Sequence, residues 1–376
     1  MMLGVFGFFA YHPQAKTVKL TFELLSPDLA SESTVYIAGS VKPLGNWDAG
    51  KIKMDRAGKH FWRKQIECPD GASIEYKYTL GSWDHEGAKA DGNPLSNFIV
   101  TVNGNTATHD KIYFWTKPGR KLTVKSTVTG TVEYHLAMKA EGLKDRDVLV
   151  WLPPDYKTNS TARYPVLYMH DGQNAFDAAT SSFGAEWQAD ETATKLITAD
   201  QVPPFIIVGI NNSADRTAEY SPGTKGTAYM NFIVERLKPF IDKTYRTKPD
   251  RLHTYIAGSS MGGLISFMLA TEHPEIFSGA ICMSPAFVDP DKGKWNYVRD
   301  FLARKSRPPV FIYIDNGGVG LEQTLQPGVD KMLSVLRAKG YKEPRDFVFF
   351  KSPNAQHNET AWAARLPNAL KLVLTR

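Results

Sequence analysis

From Arg163 to the C-terminus, six segments are apolar at almost every position: "RYPVLYMHDG", "PPFIIVGI", "LHTYIAGSS", "GAICMSPAF", "PPVFIYIDNG" and "RDFVFFKSP". A strand with one wet face alternates apolar and polar residues, whereas a continuous apolar run needs cover on both faces. The segments between the runs supply that cover. Apolar residues recur at helical spacing over Tyr229–Tyr245, Met261–Glu272, Trp295–Ala303 and Val329–Lys339, and again from Glu359. Strands alternating with helices predict a mostly parallel sheet with helices on both faces, an α/β domain. "TVTGTVEYHLAM" and "RDVLVWLPPDY" read as its opening strands, so the domain is expected over residues 121–376.

The chain before it has a different pattern. Over residues 17–113, "TVKLTFEL", "STVYIAGS", "HFWRKQIEC", "SIEYKYTLG" and "NFIVTVNG" are short β-branched and aromatic runs divided by Pro, Gly, Asn and Asp clusters. Short strands at such spacing predict an all-β, immunoglobulin-like sandwich. Asp110–Gly119, "DKIYFWTKPG", is the expected linker. Residues 1–16 hold an apolar run, Leu3–Ala10, too short for a bilayer span of about 20 residues. With a small residue at Ala15 they read either as a signal peptide, making the protein secreted or periplasmic, or as an unstructured start of a cytoplasmic one. The net charge of +6 is spread without a lysine/arginine block, so neither nucleic acid nor a membrane is an expected partner. Cys68 and Cys282 fall in different domains and read as free thiols.

Within "TYIAGSSMGGLIS", Gly258-Ser259-Ser260-Met261-Gly262 fits the pattern G-x-S-x-G between an apolar strand and a helical run. In that setting the turn exposes the central Ser260 as a nucleophile, and the flanking glycines avoid collision with strand and helix. A serine needs a base within reach. Of the nine histidines, His357 in "KSPNAQHNETAW" occupies the loop between the last strand and the last helix. Two carboxylates of "IYIDNGGVGLEQ" compete to orient that base: Glu322, past the glycines in the returning loop, and Asp315 at the strand end. The backbone N–H groups of Met261, at the helix start, and of Gln173, in "MHDGQ", are the expected oxyanion donors. His170 and Asp171 offer a metal pair as the alternative, but no further cluster completes a ligand set. No metal or organic cofactor is expected.

Taken together, "VLVWLPPDY", "YPVLYMHDGQNAF", "RTAEYSP", "AGSSMGGLISF" and "AQHNETAWAARLP" resemble the esterase D / putative esterase family of α/β hydrolases. That family includes enterochelin, feruloyl and acetyl-xylan esterases and mycolyltransferases. The resemblance implies an α/β-hydrolase fold, with Ser260 as nucleophile and His357 as base. Where relatives carry an acid soon after a strand-end glycine, this chain has Gly320 with Glu322 two residues on. "RTAEYSP" is similar to a loop near the active site of relatives, which implies either substrate contacts by Arg216 and Tyr220 or a loop that shapes the rim. In the first domain, "VYIAGSVKPLGNWD" and "IEYKYTLGSW" resemble a starch-binding type of carbohydrate-binding module. That implies sugar rings held on Trp47 and Trp83, although the usual Trp-Glu pair is Trp83-Asp84 here and Trp47 could instead fill the core.

The expected function is therefore a serine carboxylic-ester hydrolase acting on carbohydrate-linked feruloyl or acetyl esters, with a glycan as the ligand of the first domain. The same residues would also suit a siderophore trilactone esterase or an acyltransferase. A non-catalytic glycan-binding protein on this scaffold is the alternative outside enzymes.

Overall fold

The computed structural model describes residues 16–27, 29–30, 32–88, 94–116, 126–182, 185–289 and 293–376. The stretch read as a signal peptide lies outside the described residues, residue 16 apart. Two compact units divide the chain between residues 120 and 121.

Among the described residues, the first unit is a β-sandwich of nine short strands: β1 (Thr17–Leu25), β2 (Tyr36–Gly39), β3 (Asp55–Gly58), β4 (Phe61–Pro69), β5 (Ser73–Thr79), β6 (Gly87–Ala88), β7 (Phe98–Thr101), β8 (Thr106–Lys111) and β9 (Phe114–Trp115). They pair as β3-β4-β1-β8, β2-β5-β7 and β6-β9. Period-2 patterning builds the core: Val18, Leu20, Phe22 and Leu24 of β1 point inward, with Ile74, Tyr76 and Tyr78 of β5 also buried. The expected linker begins too early. Asp110 lies in β8 and accepts hydrogen bonds from the buried Tyr76 and Tyr78 hydroxyls at 2.8 and 2.6 Å. Phe114–Trp115 pairs with β6, and the Trp115 indole donates to Ser26 Oγ at 3.0 Å. Two buried phenols need an acceptor, and Asp110 is that acceptor.

The second unit is an eight-stranded sheet in the order β10-β11-β13-β12-β14-β15-β16-β17. Its strands are β10 (Thr131–Met138), β11 (Arg146–Leu152), β12 (Val166–His170), β13 (Ile206–Ile210), β14 (Thr254–Ser259), β15 (Gly279–Met283), β16 (Phe311–Gly317) and β17 (Phe347–Ser352). From β13 to β17 all neighbours are parallel, and only β10 and β11 join antiparallel. This mixed sheet with helices on both faces is an α/β-hydrolase fold. Helices α1 (Ala189–Thr198) and α8 (Glu359–Leu374) seal one apolar layer. The opposite layer is sealed by α3 (Thr224–Asn231), α4 (Lys238–Thr244), α5 (Met261–Glu272), α6 (Tyr297–Ala303) and α7 (Leu321–Ala338). A short helix, α2 (Arg216–Glu219), precedes α3. β10 is a sheet margin and carries a bulge between His135 and Met138, with Ala137 at φ 51°.

Three elements depart from the periodicity. The expected helix Tyr229–Tyr245 passes through a π-helical stretch, Phe232–Leu237, before Pro239, which has no N–H for the bond to residue 235. Helix α7 starts at Leu321 rather than Val329, because Pro327 is tolerated inside it at the loss of one ladder bond. Helix α1 has no counterpart among the expected helices. Among the described residues, no helix is long and apolar enough to cross a membrane.

A buried ion pair fixes the start of the sheet. Arg146, on β11, donates to both Glu219 oxygens at 3.0 Å, and both side chains are 0% exposed. Removing one partner strands a charge without water. Glu219→Ala is therefore expected to lower the unfolding free energy by about 3 kcal/mol, measured by urea denaturation.

Candidate active site

Strand β14 passes into helix α5 through one residue, Ser260, held at φ 57° and ψ −120°. That conformation costs about 1–3 kcal/mol for a non-glycine residue and persists only where its surroundings enforce it. The enforcing contact is steric. A Cβ on Gly258 would lie 2.6 Å from the carbonyl carbon and oxygen of Gly262, so strand and helix meet at a distance only glycine allows. Two backbone bonds hold the turn: Ser260 N–H donates to the Met283 carbonyl at 2.9 Å, and Ala286 N–H donates to the Ser260 carbonyl at 3.0 Å. Ser260 is half-buried at the carboxyl end of β14, where ligands bind in open α/β sheets.

His357 lies between β17 and α8, with its side chain 8% exposed. Its Nδ1 is 3.3 Å from Oε1 of the fully buried Glu322, a contact in which the ring is not aligned for a hydrogen bond. The ring stands edge-on to Trp362, with centroids 4.9 Å apart. Nε2 is left as the nitrogen turned away from the carboxylate. Glu322 is not in a loop as expected but on the first turn of α7. There its Oε2 accepts from Gly317 N–H at 3.0 Å and its Oε1 from the Ser284 hydroxyl at 2.6 Å.

Asp315 has other partners. Its Oδ2 accepts from the Tyr313 hydroxyl at 3.0 Å and its Oδ1 from Ser284 N–H at 3.2 Å, while Arg365 lies 3.5 Å away. Of the two competing carboxylates, Glu322 is the one brought against His357. Their ionisation diverges accordingly. Burial pushes Asp315 up to about 6, with Arg365 opposing. Burial raises Glu322 as well, but His357, Ser284 and Arg365 together outweigh it and hold that carboxyl below the ordinary range.

Gln173 sits in a single 3-10 turn, Gly172–Asn174, after β12. The Asp171 before it is at φ 57°, and a Cβ on Gly172 would come within 2.4 Å of the Gly209 backbone. The N–H groups of Gln173 and Met261 each belong to the first turn of a helical segment, where no carbonyl of the same segment can accept them. Arg216 holds this loop, donating from Nε and Nη2 to the two Asp171 oxygens at 2.7 Å. Asn212 adds a third bond to Asp171 at 2.7 Å, and Asn174 donates to Glu359 of α8 at 3.1 Å.

These bonds show what Arg216 and Tyr220 do in shaping the loop. Tyr220 is 0% exposed, and its hydroxyl accepts from Asp171 N–H at 3.3 Å, so it supports the loop from beneath. The Arg216 guanidinium is committed to Asp171 and lies over the Tyr220 ring, 5.0 Å from its centroid. His170 and Asp171, the alternative metal pair, have side-chain partners of their own. His170 Nδ1 is hydrogen-bonded with the Tyr229 hydroxyl at 2.8 Å, and burial pulls its ring down to about 3. Elsewhere among the described residues, Glu186, Asp190 and Glu191 bring carboxylate oxygens within 4.8 Å of one another. Burial pushes Glu186 up to about 7 and Asp190 to about 8.

In the first unit Trp47 and Trp83 come together, ring centroids 6.3 Å apart at 41°. Trp83 is 37% exposed and Trp47 is half-buried, outside the buried core it was expected to fill or leave. Sequence reasoning missed Ser284, Trp362 and Arg365. The indole and one guanidinium nitrogen donate to the Ser284 hydroxyl at 3.1 and 3.0 Å. Their spacing of three on the helix after His357 was the available signal.

The family model described as putative esterase matches residues 142–373. The chain belongs to this family. The match of this esterase-family chain takes in Gln173, Ser260, Met261, Glu322 and His357. A second model, described as starch binding domain, matches residues 17–134. Among curated proteins, the chain is 27% identical over 207 residues to an endo-1,4-beta-xylanase/feruloyl esterase of Xylanibacter ruminicola, covering 51% of this chain and 25% of that one. It also spans 63% of an uncharacterized Bacillus subtilis protein at 29% identity over 163 residues, 43% of this chain. The chain thus spans less than two thirds of these curated relatives. A solved ferulic acid esterase superposes with TM-score 0.55 at 21% identity, over 65% of this chain and 98% of that one. An enterobactin esterase of Shigella flexneri superposes with TM-score 0.58 at 14% identity, over 97% and 95%.

The ionisation of Asp315 gives a stability test. Its folded pKa is raised, so its contribution is complete below its unfolded pKa of about 3.9 and is lost as pH rises through about 6. Relative to Asp315→Asn, the wild type is expected to lose on the order of 2 kcal/mol of stability between pH 4 and pH 7. Denaturation midpoints of both proteins across that range measure it.

Proposed function

We propose that this protein is a serine carboxylic-ester hydrolase with Ser260, His357 and Glu322 as its catalytic triad. The observation that carries the reading is the Nδ1–Oε1 contact of 3.3 Å between His357 and buried Glu322, alongside a serine in a strained strand–helix turn. Glu322 fixes the ring so that Nε2 takes the Ser260 proton as Oγ attacks the ester carbonyl. The tetrahedral oxyanion is received by the N–H groups of Met261 and Gln173, backed by the α5 N-terminus. The imidazolium protonates the leaving alcohol, and water then releases the acid from Ser260 by the same route.

The substrate class follows from the companion unit. The reading is of an ester attached to carbohydrate, with an aromatic or acetyl acyl group. Two features support it: the Trp47–Trp83 pair, which presents aromatic faces to sugar C–H groups, and the feruloyl esterase activity in the name of the Xylanibacter relative. Export to the cell exterior or periplasm suits a polysaccharide substrate and belongs to the same proposal.

Ser260→Ala is expected to lower kcat/KM by at least about a thousandfold on methyl ferulate or p-nitrophenyl acetate. Glu322→Gln should lower kcat far more than Asp315→Asn, and the reverse order would move the acid role to Asp315. A screen that adds a triserine lactone, and a sugar acceptor in place of water, separates ester hydrolysis on carbohydrate from trilactone hydrolysis and acyl transfer. Trp83→Ala is expected to weaken retention on insoluble starch in a pull-down by about tenfold without changing turnover of p-nitrophenyl acetate.

A further inference from the structure

Ser284 follows β15 and is at φ 45°, in the left-handed region that favours glycine. It is 0% exposed, and its N–H is held by the carbonyl oxygen and Oδ1 of Asp315 at 3.0 and 3.2 Å. Glycine would occupy this position with less strain, so what the serine adds is its hydroxyl. That hydroxyl has three neighbours. Trp362 Nε1 lies at 3.1 Å, Arg365 Nη2 at 3.0 Å and Glu322 Oε1 at 2.6 Å. An indole N–H and a guanidinium can only donate, so both occupy the oxygen's lone pairs. The single hydroxyl proton therefore has one acceptor left, Oε1 of Glu322. This is the same oxygen that faces His357 Nδ1.

We infer that Ser284 is a positioning residue of the esterase: with Trp362 and Arg365 fixing its proton, it orients the Glu322 carboxylate toward His357 and draws off part of that oxygen's charge. The inference rests on the triad proposed above. The short bond is charge-assisted and buried, the setting in which such a bond is strongest. By sharing Oε1 it limits how strongly the carboxylate stabilises the imidazolium, and it keeps the proton on the ring during turnover. Other charged groups facing the pair are Asp315 from β16, Lys351 from β17, and Glu359 and Arg365 from α8. None of them shares Oε1 at hydrogen-bond distance: Arg365 comes within 3.8 Å.

Ser284→Gly separates this role from a structural one. It removes the hydroxyl and relieves the backbone strain, so its thermal midpoint should equal or exceed that of the wild type. Its kcat on p-nitrophenyl acetate should fall on the order of tenfold to a hundredfold with KM little changed. The acid limb of its pH–kcat/KM profile should move to higher pH, because Glu322 then holds the imidazolium more tightly. Ser284→Ala should show the same kinetic change at a lower midpoint. Wild-type kinetics and an unmoved acid limb in Ser284→Gly, or its failure to fold, would overturn the inference. Ser260→Ala, assayed in parallel, tests the underlying reading. If Ser260→Ala keeps wild-type activity the triad itself fails, whereas an inactive Ser260→Ala beside a wild-type-like Ser284→Gly removes only the role of Ser284.

Discussion

The site depends on one close approach of backbone to backbone. Gly258 and Gly262 let β14 and α5 meet where no Cβ fits, and that contact drives Ser260 into a conformation it would not otherwise adopt. The strain is sustained by the surrounding sheet. Nearly every residue of β12, β14, β15 and α5 is buried, so the turn cannot relax without opening the central layer of the domain. The same device recurs at Gly172, which packs on the Gly209 backbone and sets the loop that carries Gln173. Close packing of the parallel strands is thus what places two loops at one sheet edge.

Around that edge, charge is arranged so that two buried carboxyls ionise at different pH, Glu322 below the ordinary range and Asp315 at about 6. Glu322 and Asp315 are both fully buried and share Arg365, yet they differ in partners. Glu322 gathers the His357 ring, a hydroxyl and a backbone N–H, whereas Asp315 gathers a phenol and the Ser284 backbone. A single buried guanidinium balances two anions only in part, so burial raises the carboxyl with fewer positively charged partners. On the opposite side, Asp171 is kept anionic although buried, because Arg216 and Asn212 meet it directly.

Much of this was legible in the sequence because it is local. Continuous apolar runs require a doubly covered sheet, the G-x-S-x-G pattern requires an elbow, and His357 is the histidine in the last strand–helix loop. What was hidden depends on long-range contact. The start of α7 was obscured by Pro327, which ends helices by local rules but is tolerated here within a well-packed helix. That error placed Glu322 in a loop, although it still singled out the right neighbour for His357. Whether the Tyr220 side chain faces the site or packs beneath its rim was left open, because nothing local states that a tyrosine points down rather than up. Ser284 left no trace, since its hydroxyl acquires meaning only when β15, α7 and α8 converge.

The bulge near the end of β10 has a consequence beyond the catalytic edge. A flat outer strand with Tyr134 and Leu136 exposed would offer unpaired N–H and C=O groups beside apolar side chains, a template on which another chain could add. The kink at Ala137, pinned where its N–H donates to the Asp147 carboxylate at 2.8 Å, breaks that ladder after five paired residues, Thr131–His135. Such a bulge at a sheet margin interrupts the regular ladder and is one way an outer strand is made a poor template for further strand addition.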